Sequence, residues 1–279
     1  MAHAMPRNAR NRPCILQEAA LSSLYSIALA PMIAKLRLHA EVSDDDRDAI
    51  MALPYVLRTV DKRRSLIRNE NTPEYCAIIL KGFAFRHKTT RDGLRQIVSF
   101  HTPGQMLNIQ QLFLKSFDHE IEAMTKCEVA TIPIAALQHL ALSRVSITMA
   151  LVAQAMVESS IYRQWMLNVG RRDARARVAH LLCEFAVRLG DEGIAPGRAY
   201  YIPMTQQQIG DAVGLTSIHV NRVLRAFINE GVLFKKGSEV RFLKWEKLQD
   251  VAGFNSRYLH VGDPVEGVDY SNDAGHQRQ

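Results

Sequence analysis

Thr205-Gln206-Gln207-Gln208-Ile209-Gly210-Asp211-Ala212-Val213-Gly214-Leu215-Thr216-Ser217-Ile218-His219-Val220-Asn221-Arg222-Val223-Leu224 decides the reading of this 279-residue chain. Its first four residues have the form of a capping box, Thr at the N-cap and Gln three residues on. They predict a short helix whose buried side is Ile209, Ala212 and Val213. Gly214 then permits a tight turn, Leu215 anchors it, and Thr216 or Ser217 caps a second helix. There Val220, Val223, Leu224 and Phe227 form the inward face. Ile218, Asn221, Arg222 and Arg225 fall on the opposite face, at i, i+3, i+4 and i+7. This is helix-turn-helix spacing, with a second helix able to enter a major groove. Plain helix packing produces the same apolar pattern, so the flanking sequence has to decide.

Downstream, Gly231 to Lys235, the turn Lys236-Gly237-Ser238 and Glu239 to Leu243 read as a β-hairpin. A hairpin directly after the second helix makes a winged helix-turn-helix, and Lys235 and Lys236 are its candidate phosphate contacts. Upstream, Val178, Leu181, Leu182, Phe185 and Leu189 mark an amphipathic helix stopped by Gly190. Before it, Ser146–Val169 has no Gly or Pro and is apolar almost all round in its first half, which demands burial on more than one side. A second copy of the same helix is the economical partner. This makes Ile147, Leu151, Met156, Ile161 and Trp165 candidate dimerisation residues. From Val56 to Pro133 short β-rich runs alternate with turns such as Thr90-Arg91-Asp92-Gly93, the texture of a sandwich or roll of antiparallel strands. Ser43 before Asp44, Asp45 and Asp46 predicts a capped helix running to about Ala52.

The expected class is α+β: leader 1–34, poorly ordered; β-roll 35–142; dimerisation helix 143–170; winged helix-turn-helix 171–252; disordered tail 253–279. Arg7, Arg10 and Arg12 before the apolar stretch Ala19–Ala34 faintly imitate a secretory signal, but Gln17, Glu18 and Pro31 interrupt it. No stretch approaches 18 apolar residues free of charge, so no membrane partner and a cytoplasmic location are expected. The chain carries 35 Lys and Arg against 28 Asp and Glu. The excess is concentrated in residues 170–260, with 14 basic residues against 9 acidic, as for a domain that meets a polyanion. Cys14, Cys76, Cys127 and Cys183 form no close pair, so neither metal site nor cofactor is expected. G-x-S-x-G, H-E-x-x-H, P-loop and G-x-G-x-x-G sequences are absent, and His119 beside Glu120 and Glu122 is the only crowded acid–base cluster. No catalytic residue is assigned, and an enzyme is not expected.

The 205–224 motif, together with Leu80-Lys81-Gly82, Thr102-Pro103-Gly104 and Cys127-Glu128-Val129-Ala130, resembles the bacterial CRP/FNR regulators over roughly residues 35–250. The closest likeness is to the branch whose recognition helix carries His-Val-Asn-Arg. The resemblance implies a homodimeric transcription factor that binds double-stranded DNA at a two-fold symmetric site, with RNA polymerase as a further partner. Arg222 matches the arginine that reads guanine, whose N7 and O6 suit a guanidinium bidentately. Thr205 and Thr216 match helix-start positions that hold phosphates, with Gln206 and Ser217 beside them. Ile218 stands where the best-known members have a cytosine-reading glutamate, so the half-site need not be theirs.

The sensory half departs from the family. Cyclic-AMP binders use a Gly-Glu pair and an Arg-Ser or Arg-Thr pair, whereas here the stretch from Gly104 to Phe113 has no glutamate. Phe117-Asp118 falls where the arginine pair would be. Cys14 alone cannot supply the cysteine cluster of the oxygen-sensing branch. The effector is therefore left unknown and is not expected to be cyclic AMP. The alternative reading is a small-ligand or redox-sensing module acting mainly through protein–protein contacts, which salt-dependent duplex binding would exclude.

Overall fold

The computed structural model describes residues 28–68, 73–189 and 198–261. Helix α1 (Ala30–Arg37) and helix α2 (Asp44–Met51) precede strands β1 (Val56–Val60), β2 (Ser65–Ile67), β3 (Tyr75–Lys81), β4 (Ala84–Thr89), β5 (Arg95–His101), β6 (Glu120–Ala123) and β7 (Cys127–Pro133). The strands form two antiparallel sheets, ordered β1-β7-β3 and β2-β6-β4-β5, which make the expected roll. Ser43 caps α2 by accepting a hydrogen bond from the Asp46 amide at 3.1 Å, and the acidic first turn suits the helix dipole.

Two boundaries differ from the sequence reading. The leader was expected to extend to residue 34, yet α1 begins at Ala30. Pro31 sits in its first turn, where a missing N–H costs nothing, and Leu29, Met32, Ile33 and Leu36 are buried with Ile78, Met106 and Ile132 of the roll. The tail was expected to be unpacked from residue 253, yet Ser256–Leu259 forms a 3-10 turn. Leu259 is buried, Tyr258 donates to Glu184 Oε2 at 2.8 Å, and His39 donates from Nδ1 to the His260 carbonyl at 3.1 Å. Aromatic and histidine anchors dock a segment too short for periodicity to reveal. The remainder of the leader and tail expectations lies outside the described residues.

Helix α3 (Ile134–Ser143) leads into α4 (Val145–Arg171), the long helix expected over Ser146–Val169. By length and composition α4 is apolar enough to cross a membrane. Its inward residues, however, are packed inside the protein, and Glu158 and Arg163 interrupt the run. Ile147 and Leu151 join the cluster around α1, while Ile161 and Trp165 join a second cluster containing Phe100 and Phe185. Four of the five residues offered for dimerisation, Ile147, Leu151, Ile161 and Trp165, are thus buried within the chain itself; only Met156, 60% exposed, faces outward. Apolar periodicity identifies a buried face but not which partner buries it.

Helix α5 (Ala174–Leu189) follows the Arg172-Asp173 break, then β8 (Ala199–Tyr201), α6 (Gln206–Val213), α7 (Ser217–Asn229), the β9 (Leu233–Lys236) and β10 (Glu239–Phe242) hairpin, and α8 (Trp245–Ala252). The sheet order is β8-β10-β9, so the wing gains a third strand that the sequence reading did not assign.

Candidate nucleic-acid interface

The capping box forms as its residues predict. The Gln208 amide donates to Thr205 Oγ1 at 3.1 Å, and the Thr205 amide donates to Gln208 Oε1 at 2.9 Å. Gly214 takes the left-handed conformation at φ 67°, which ends α6. Gly210, not singled out from sequence, is as constrained: a methyl group there would collide with the Leu215 carbonyl oxygen, so only glycine lets the turn cross α6. Thr216, rather than Ser217, caps α7, accepting from the His219 amide at 3.3 Å. Val220, Val223, Leu224 and Phe227 are buried against the domain core.

On the outer face Ile218 is 74% exposed, Arg222 and Arg225 are exposed, and Asn221 is half-buried. Thr205 and Thr216 are exposed at the two helix starts, with Gln206 and Ser217 half-buried beside them. Several other arginines of the unit are engaged: Arg175 with Glu230 at 2.6 Å, Arg188 with Glu184 at 3.3 Å, Arg241 with Glu239 at 2.7 Å, and Arg177 with backbone carbonyls. Arg198 lies over the Tyr200 ring, and Arg171, at the end of α4, is exposed. Arg222 and Arg225 have no ion pair or hydrogen bond among the described residues. On the wing, Lys236 is exposed, whereas Lys235 is half-buried and donates to the Gly237 carbonyl at 2.7 Å. Burial lowers the pKa of its ammonium. Of the two wing lysines, only Lys236 projects freely.

The helix-turn-helix is docked on the roll. Arg95 of β5 reaches Asp211 of α6 through Nη2 at 2.7 Å and Nε at 2.8 Å, with Glu122 at 3.5 Å. Gln96 donates to the Ala212 carbonyl at 3.1 Å.

At the roll's expected ligand position, Asn108 accepts from the Ala77 amide at 2.9 Å and donates to the Tyr75 carbonyl at 2.8 Å, and Ile109 is buried. Phe117 lies in the roll core. Asp118 pairs with Lys88 at 2.7 Å and His119 at 2.9 Å, bonds that bring its carboxyl down to about 2. His119, buried and next to Arg86, drops to about 4, which leaves it an uncharged partner near neutrality. The sequence reading missed Arg86, a 6% exposed cation in β4 that faces this position. It donates to the Leu107 carbonyl at 2.7 Å and to the Tyr162 hydroxyl, and lies 3.7 Å from Glu158. An arginine among strand residues carries no spacing signal that distinguishes inward from outward.

Cys76, Cys127 and Cys183 are buried free thiols, and burial pushes Cys76 up to about 12; Cys14 lies outside the described residues. Among the described residues no group of His, Cys, Asp and Glu could hold a metal ion.

Residues 176–251 match the Crp-like helix-turn-helix domain family, and residues 57–144 match the cyclic nucleotide-binding domain family. The nitrogen fixation regulation protein FixK of Rhizobium meliloti is 30% identical over 176 residues, covering 63% of this chain and 77% of that protein. The transcriptional activator protein FnrA of Stutzerimonas stutzeri is 25% identical over 221 residues, covering 79% and 90%. The structure of FixK2 from Bradyrhizobium japonicum superposes with a TM-score of 0.66 at 26% identity, over 73% of this chain and all of that one. With its roll, long helix and winged helix-turn-helix in this order, the chain belongs to the CRP/FNR family of DNA-binding transcriptional regulators and is not an enzyme.

Proposed function

We propose that the chain binds a two-fold symmetric DNA site as a homodimer, with α7 in the major groove, and that it acts in the cytoplasm. The observation that carries this reading is the pair Arg222 and Arg225, exposed and uncommitted beside exposed Ile218 on the outer face of the second helix of the helix-turn-helix. Arg222 would read a guanine, Ile218 would contact a thymine methyl, and Thr205, Gln206, Thr216, Ser217, Asn221 and Lys236 would position the backbone or flanking bases. The dimer face is shifted from the sequence reading. Val145, Val152 and Met166 repeat in steps of seven or fourteen along the outside of α4, with Met156 beside them, all exposed. That stripe supports a parallel pairing with a second copy.

Cyclic AMP is not the proposed effector. Its phosphate would meet Asp118 where the family has an arginine, and Arg86 is already held by Leu107, Tyr162 and Glu158. The test is duplex binding by the purified chain without added nucleotide, using fragments recovered by genomic site mapping. Affinity should fall steeply with rising salt, because phosphate contacts release counterions. Salt-independent or absent binding would favour the protein-contact alternative.

A further inference from the structure

A cavity of about 560 Å³ lies between α1, the roll, α4 and α5, and Leu259 of the C-terminal turn lines it. This is within the usual size of small-molecule sites. Its wall is mainly apolar, with Leu38, Phe83, Val157, Ile161 and Val187. Gln154 and Glu158 also line it, one turn apart on α4. Gln154 is 4% exposed, and neither of its amide atoms has a hydrogen-bond partner; Glu158 Oε1 has none either. Buried polar atoms are nearly always paired, so three unpaired atoms on adjacent turns of a cavity-lining helix call for a polar partner, which an occupant of the cavity supplies once the Gln154 side chain turns toward it.

The cations around the cavity are spoken for. Arg188 donates to the Phe100 carbonyl at 2.7 Å and to Gln105 Oε1 at 3.0 Å, and it pairs with Glu184. Arg86 is held as described above, and Lys35 is engaged as well. An anion would enter without a free counter-charge, beside the Glu158 carboxyl. A side-chain amide, by contrast, offers one donor and one acceptor side by side, which a second amide matches.

We propose that this cavity binds an uncharged, largely apolar small molecule that carries a primary carboxamide, paired edge to edge with Gln154 and with its second N–H toward Glu158. The site is separate from the roll's pocket at Arg86, Ile109 and Gln110, which opens onto Ala155, Ser159 and Tyr162 of α4, although Glu158 borders both. It also stands independently of the DNA reading.

Benzamide, benzoate and ethylbenzene, near-isosteric probes, test the assignment by saturation-transfer NMR titration of the full chain. Benzamide should bind in the millimolar range, and benzoate and ethylbenzene each at least about tenfold more weakly. Gln154→Leu keeps the volume and removes both polar atoms, so it should reverse the preference toward ethylbenzene. Val187→Phe fills the cavity from the opposite wall with Gln154 intact and should abolish binding of all three. If Gln154→Leu fails to fold, Val187→Phe together with the wild-type ranking decides. Failure of the wild type to bind benzamide would mean a water-filled cavity and would overturn the proposal. So would equal binding of benzoate, or benzamide binding unchanged in folded Gln154→Leu or in Val187→Phe.

Discussion

At the scale of single residues, exposure separates groups that hold the fold from groups left for a partner. Arg222 is exposed and unpaired, so Arg222→Ala should leave unfolding unchanged while DNA binding weakens by about 1–3 kcal/mol and preference at one guanine per half-site relaxes. Selection of bound duplexes from a randomised pool measures this, and an unchanged sequence preference would remove Arg222 from the reading role. His180 illustrates the opposite case. It is fully buried, and burial together with nearby Arg172 lowers its pKa to about 3 from 6.5. The folded state keeps it neutral while the unfolded chain takes up a proton below 6.5, so its contribution is full above that pH and is lost as pH falls toward 3. Between about pH 7.5 and about pH 5.5 the wild type should lose about 1 kcal/mol more stability than His180→Gln. Denaturant unfolding at the two pH values checks it; equal losses would show that His180 is not held neutral. Arg222 was legible from its place in a motif. His180 was not, because it sits beside the apolar positions of α5 and nothing in the sequence says that Phe254 and Tyr258 will pack over it.

At the scale of elements, periodicity predicted α7 and α4 equally well, but it assigned faces correctly only in α7. A helix with one apolar face has one way to pack. In α4 the apolar residues surround the axis, and the larger ones, Ile147, Leu151, Ile161 and Trp165, went to the roll and α5. The outer stripe of Val152 and Met156 is what remains for a second copy. Val152→Glu with Met156→Glu should therefore give folded monomers, since both charges would be solvated once the partner leaves. Leu151→Glu should instead unfold the chain, because it buries an unpaired carboxylate at a cost of several kcal/mol. Sedimentation with circular dichroism distinguishes these outcomes. A wild type that sediments as a monomer at micromolar concentration, or a double variant that remains dimeric, would refute the assigned face.

At the scale of the whole molecule, the order of units was legible because each carries its own local pattern. Their junction was not, because it is made by side chains more than a hundred residues apart. Asp211 is one example. In the sequence it is the charged member of α6; in the fold its carboxylate is only 10% exposed and is gripped by two guanidinium nitrogens of Arg95, beside the Gln96 bond to Ala212. A partly buried pair with two charge-assisted contacts, here both to Asp211 Oδ2, is worth more than an exposed one, and removing one partner leaves the other desolvated with less compensation. Asp211→Asn deprives Arg95 of its main partner, although Glu122 at 3.5 Å can take part of the charge. Arg95→Ala leaves the Asp211 carboxylate with Gln207, at 2.6 Å, as its hydrogen-bond partner and no cation paired to it. Both changes should loosen α6 from β5, the second more than the first. Amide hydrogen exchange should accelerate by about tenfold or more along both elements while the cores of roll and wing stay protected. Because α7 packs directly on α6, the same contact fixes where the DNA-reading face sits relative to the roll. If exchange along β5 and α6 is unaltered in both variants, apolar packing alone holds the junction and the ion pair has no part in positioning the reading helix.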